Sequence, residues 1–166
     1  MPSLSYIMKG LGIMKRIISL LFVIVCMLSL CACSFSKDPI SSEDFISYFE
    51  GKGYQVEDIT SQFDSEMVDS DVIVMNTEND YQIEFYDLTS DVYAKNLFAN
   101  NKNDINAEIQ GNTLTNSAEI GNASKYSKNN DSVYGIISRI ADTVIYSDGS
   151  VDNIEIVKTE LKDLGY

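Results

Sequence analysis

The stretch Val133-Tyr134-Gly135-Ile136-Ile137-Ser138-Arg139-Ile140-Ala141-Asp142-Thr143-Val144-Ile145-Tyr146 decides the fold, because it reads in two ways. Val133, Ile136, Ile137 and Ile140 fall at the spacing of a helical face. Gly135 and the density of Ile, Val and Tyr argue for strands, since glycine weakens a helix interior and branched side chains pack well on a pleated surface. We take the strand reading, a hairpin of residues 133–140 and 143–146 turning at Ala141-Asp142. On this reading Asp148-Gly149 ends the hairpin. A last helix follows from Asp152 to Leu164, with Ile154, Val157, Leu161 and Leu164 on one face.

Toward the N-terminus the signals are plainer. Tyr81, Ile83 and Phe85 alternate with Gln82, Glu84 and Tyr86, the pattern of a strand with one wet face. Val72-Ile73-Val74-Met75 is an apolar run of strand length, joined to it by a hairpin loop over Asn76–Asp80. Tyr54–Ile59 reads as a short strand, and Ser61–Asp71 as a polar connection. A helix opens at Ser41-Ser42-Glu43-Asp44, where Ser41 and Asp44 stand at capping-box spacing, and it stops at Gly51 and Gly53. Thr89-Ser90-Asp91 caps a second helix carrying Tyr93, Ala94, Leu97 and Phe98 on one side. The asparagine-rich Asn100–Ser117 is either its frayed end or a long surface loop. The order of elements predicts an α+β domain over residues 42–166, a mostly antiparallel sheet with three helices packed on one face.

The first residues read as an address rather than as fold. Lys15 and Arg16 precede an uncharged apolar run from Ile17 to Ala32. That run is shorter than the roughly 20 residues of a membrane span and fits the core of a secretory signal. It ends in Leu30-Cys31-Ala32-Cys33, which resembles the lipobox of bacterial lipoprotein precursors. The resemblance implies a diacylglyceryl group on the Cys33 thiol, cleavage between Ala32 and Cys33, and attachment to the extracytoplasmic face of the cell membrane. Met14 would then start a signal peptide over 14–32, with 1–13 an over-extended start or leader and 33–41 a tether. The segment Arg139–Tyr146, with the ending Leu164-Gly165-Tyr166, is similar to small uncharacterised lipoproteins of Gram-positive bacteria. That likeness implies a location and a fold, and no activity.

Composition narrows the chemistry. Of 166 residues, 12 are Lys or Arg and 25 are Asp or Glu, for a net charge of -13 with no histidine. Such acidity is the wrong sign for nucleic-acid binding, and the lack of histidine removes Ser-His-Asp catalysis, His-ligated metals and a histidine pH switch. Cleavage before Cys33 would remove Lys9, Lys15 and Arg16 and leave Cys33 as the last cysteine. A disulfide framework and a thiol nucleophile are therefore not expected. The stretch Asp148–Glu155 offers oxygen ligands without the spacing of a calcium loop, so a turn and a helix cap are the simpler reading, and no metal or cofactor is expected. The acids read as solvated surface charge, and the expectation is that the protein is not an enzyme.

Two features remain. Arg139 is the one arginine after Cys33. A bidentate pair with a carboxylate, Asp142 across the turn, is the expected role, and contact with an anion or a partner's carboxylate is the other reading. The ten tyrosines fit ordinary sheet packing better than an interface. Together these observations favour a module that binds an extracytoplasmic protein, an immunity or inhibitor role being one version. A small-ligand binding or sensing lipoprotein is the alternative.

Overall fold

The computed structural model describes residues 36–76 and 81–166. They form α1 (Ser42–Glu50), β1 (Gln55–Asp58), β2 (Val68–Asn76), β3 (Tyr81–Leu88), α2 (Asp91–Glu108), β4 (Leu114–Ile120), β5 (Ala123–Asn129), β6 (Val133–Ile140), β7 (Thr143–Ser150) and α3 (Ile154–Asp163). The strands make one seven-stranded sheet in the order β1-β2-β3-β7-β6-β5-β4. Every neighbouring pair is antiparallel. The α+β expectation holds, and so does the deciding hairpin: Ile140 pairs with Thr143 across a two-residue turn at Ala141-Asp142.

Helix starts follow their caps. The Ser41 side chain accepts a hydrogen bond from the Asp44 amide at 3.1 Å, and Ser90 accepts one from the Tyr93 amide at 3.4 Å. Each satisfies a donor that the first helical turn leaves free. A side-chain cap of this kind is worth about 1 kcal/mol.

The helices do not share one face of the sheet. Residues paired across a ladder point to the same side, and neighbours in sequence point to opposite sides. Val72, Phe85 and Ile145 are aligned across β2, β3 and β7, and with Ile136 they enter one core beside Phe45 and Phe49 of α1 and Val157 and Leu161 of α3. Tyr126, Ile137 and Val144 belong to a second core with Ala94 and Ile105 of α2. Two helices thus cover one face and α2 covers the other. The alternation of β6 shows why: Tyr134, Ile136 and Ile140 go one way and Ile137 the other, so the strand is apolar on both sides and needs two covers. Gly135 lets α2 approach, since a Cβ built there would stand 2.8 Å from Ile105 Cγ1.

Three stretches depart from the sequence reading. β2 begins at Val68 inside the expected polar connection, with a register shift between Val68 and Ser70 that turns Asp71 into the sheet. The asparagine-rich segment is neither frayed nor loop throughout, because α2 runs on to Glu108 and β4 begins at Leu114. Asp148 and Gly149 lie within β7 rather than ending it.

Candidate functional site

Three gatherings of polar and charged groups stand out among the described residues, and the first of them lines a hollow. On the face covered by α1 and α3, the sheet extends past α3 to the outer strands β5 and β4. Lys125 of β5 lies on this face, paired with Ser138. Lys158 and Lys162 stand one turn apart on α3. These three lysines, with Ser127, Ile136 and Tyr166, line a cavity of about 470 Å³. A second hollow of about 190 Å³ continues it along the strands and adds Lys37, Ile120 and Ile140.

The lysines are only partly satisfied. Lys125 Nζ donates to the Tyr166 main-chain oxygen at 3.2 Å, and Lys158 Nζ pairs with Glu155 at 2.8 Å. The Glu155 side chain is 81% exposed, so that pair is solvated and weak. The Lys162 side chain makes no hydrogen bond or ion pair among the described residues. Lys37 Nζ donates to the Gly165 carbonyl at 2.6 Å, while its main chain exchanges two bonds with the Asn122 side chain. Burial lowers the pKa of Lys125, and the charges of Lys37 and Lys158 lower it further.

A second cluster joins α1 to α3. Lys52 and Tyr48 both donate to Glu160 Oε2, and the Tyr54 and Tyr81 hydroxyls meet at 2.8 Å. Lys52 also sits 4.2 Å from the centre of the Tyr48 ring. Burial, then Glu160, pushes the Tyr48 hydroxyl up to about 12. These groups satisfy one another, and the cluster reads as a clamp between helices.

The third place is Asp71, which is fully buried. Neither carboxyl oxygen has a hydrogen-bond partner among the described residues. Its main chain is well held, with the amide donating to Thr60 Oγ1 at 2.8 Å and the carbonyl accepting from Ile59 at 2.9 Å. Burial first, then the charges of Glu84 and Asp58, raises the carboxyl to about 7. Glu84 and Asp87 are also raised, chiefly by burial. Such a group can hold a proton at neutral pH, but among the described residues neither of its oxygens has a hydrogen-bond partner that could exchange it.

The predicted site residues fare differently. Ala32 and Cys33, with the whole lipobox, lie outside the described residues. Arg139 is described and only 3% exposed. The expected pair with Asp142 does not form; Arg139 donates instead to the Ala141 carbonyl at 2.9 Å and to Ser124 Oγ at 3.3 Å. The strand sets this, because Arg139 points into the sheet face shared with Ser124 while Asp142 belongs to the turn beyond it. Among the described residues no three Cys, Asp or Glu side chains converge as a metal site would require.

The lysine cavity was not anticipated from the sequence. Its residues come from β5 and α3, which lie far apart in the chain. The like charges at Lys158 and Lys162 were the one local signal, since such i, i+4 pairs are mildly destabilising unless something relieves them. Comparison with family models, with curated proteins and with solved structures finds no match to this chain.

Proposed function

We propose that the chain is a lipid-anchored extracytoplasmic protein that works as a protein-interaction module at the membrane surface. The anchor rests on the lipobox, with Met14–Ala32 as signal peptide and Cys33 carrying the lipid. Among the described residues no helix is long and apolar enough to cross a membrane. Two acyl chains on Cys33 would suffice for stable attachment.

The observation that carries the interaction reading is β4. It is the last strand of the sheet, and all seven of its residues are exposed. Leu114 and Ile120 are 71% and 59% exposed. An uncovered edge presents unpaired amides and carbonyls, which natural proteins usually blunt or use. A partner segment would add there as a further strand, with pockets beside it reading alternate side chains. The net charge of -13 favours a basic partner and speeds its approach.

The test is a cross-linked pull-down from the protein's own membranes, with wild type beside Ser117→Pro. Proline removes one amide from the edge, and edge strands tolerate it. A partner captured by the wild type and lost with Ser117→Pro supports the reading. Capture that survives the substitution, or no partner at all, sinks it. Cys33→Ala tests the anchor separately, because the precursor should then stay uncleaved and unlipidated; normal processing would refute it.

A second reading, a small-ligand binding or sensing lipoprotein, is favoured by the lysine-lined cavity of about 470 Å³. Its volume lies within the range of small-molecule sites. A ligand-dependent rise in melting temperature without a protein partner would select it.

A further inference from the structure

We infer that the cavity between α3 and the outer strands β4 and β5 is an anion site for a phosphate ester, held by Lys125, Lys158 and Lys162 with its organic part against Ile136 and Tyr166. The inference rests on the small-ligand reading above and names the chemistry of that ligand.

The argument begins with charge. Lys125, Lys158 and Lys162 line one cavity; Lys158 pairs with the exposed Glu155, Lys125 bonds the Tyr166 main-chain oxygen, and Lys162 makes no hydrogen bond or ion pair among the described residues. Like charges that share only a solvated counter-charge raise the energy of the empty site. A bound anion would relieve that cost, and it would also replace the water that now solvates the ammonium groups.

The number of cations then selects the anion. One carboxylate would leave two ammonium groups unmatched. A phosphate monoester carries close to two negative charges at neutral pH and three acceptor oxygens, one for each lysine. Lysine serves phosphate as a compact point charge on a flexible stem, and three stems from two elements can converge without a rigid fork. Ser127 and Asn116 on the same wall add neutral donors.

The remaining lining is apolar. Ile136 and Tyr166 form part of the wall, and Ala118 borders both hollows. A cavity of about 470 Å³ holds more than inorganic phosphate alone. The ester oxygen would point the organic group along the strands toward Ile120 and Ile140 in the adjoining hollow. The shared chemistry is a phosphate ester with a small or apolar body, which a free metabolite or a lipid headgroup could supply.

The test follows the acetylation of individual lysines by mass spectrometry, on the full chain carried in phosphatidylcholine vesicles. One probe is glycerol 3-phosphate, and the other is replacement of part of the lipid by phosphatidic acid, whose headgroup is a phosphate monoester. Lys125, Lys158 and Lys162 should react about ten-fold more slowly under one probe, matching loss of access to a charge-assisted contact. Lys95, paired with Asp91 on α2, should be unchanged. Slowing by the soluble ester assigns a free phosphate ester; slowing by phosphatidic acid alone assigns a headgroup. In either case Lys162→Gln, an exposed position, should weaken the protection of Lys125 about ten-fold.

No slowing under either probe overturns the inference, and so does equal slowing at Lys95, which would be plain screening. Slowing by glycerol as strong as that by its phosphate overturns the anion chemistry but leaves the cavity a ligand site. The ligand reading itself fails only if neutral and charged small molecules alike leave the melting temperature of the same chain unmoved.

Discussion

Asp71 and Ala141 each stand where their chemistry is costly, and each cost can be measured. The Asp71 carboxyl, raised to about 7, keeps its proton in the folded chain over a range where the unfolded chain has lost it. The folded state then binds more protons, so stability falls as pH rises from about 4 to about 7 and levels off above. Asp71→Asn should remove that slope, leaving the variant more stable than wild type at pH 8 by on the order of 2–4 kcal/mol and nearly equal at about pH 3. Urea denaturation at the two pH values checks this, and parallel profiles would refute it. Ala141 has φ 51°, the left-handed region that side chains disfavour, at the first turn position between β6 and β7. The matching position between β4 and β5 is Gly121, with φ 60°. Ala141→Gly should therefore stabilise by about 1 kcal/mol, the strain relieved less the extra freedom of the unfolded chain. The denaturation midpoint should rise with an unchanged slope. A fall in the midpoint would show that the turn is not strained.

At the scale of elements, the sequence was readable wherever burial and backbone chemistry agreed. The β6–β7 hairpin was legible because its branched residues fill both sides of a central strand, and the caps Ser41 and Ser90 because they obey local hydrogen bonding. β4 was not legible, since an exposed edge needs no apolar alternation. The reach of α2 was hidden by a mostly polar surface, with Ala94 and Ile105 its fully buried residues, three turns apart on one stripe. Asp71 hid the start of β2 by placing a charge where a strand core expects an apolar side chain. The placement of α2 was lost for a further reason: the glycine that admits it, Gly135, was read only as a mark of strand over helix. Gly135→Ala should thus act on the docking of α2, because the new methyl group meets Ile105 Cγ1 at 2.8 Å and Cγ2 at 3.1 Å. Overpacking of this kind costs about 1–3 kcal/mol. In an Ile105→Ala background, which lacks both carbons, Gly135→Ala should cost less, whereas a cost unchanged there would place the strain elsewhere.

The described residues form one sheet with a core on each side, and the strands that serve both cores are β2, β3, β6 and β7. Their amides are closed in by neighbouring strands on both edges and by side chains above and below. The outer strands differ: β1 has four residues, and β4 lies beyond the reach of either core. Opening should therefore be graded across the sheet, with β4 freeing its amides at little cost and the centre only on global unfolding. Hydrogen exchange followed by mass spectrometry should show the slowest uptake in residues 81–88, 133–140 and 143–150, and fast uptake in 114–120. The gradient also bears on function, because an edge kept open in the free protein is available for strand addition. On the interaction reading, a captured partner should raise protection at β4 before it raises it anywhere else. A free protein in which β4 already exchanges as slowly as β6 would mean that the edge is covered by something within the chain or by a second copy. The interaction reading would then lose the surface on which it stands.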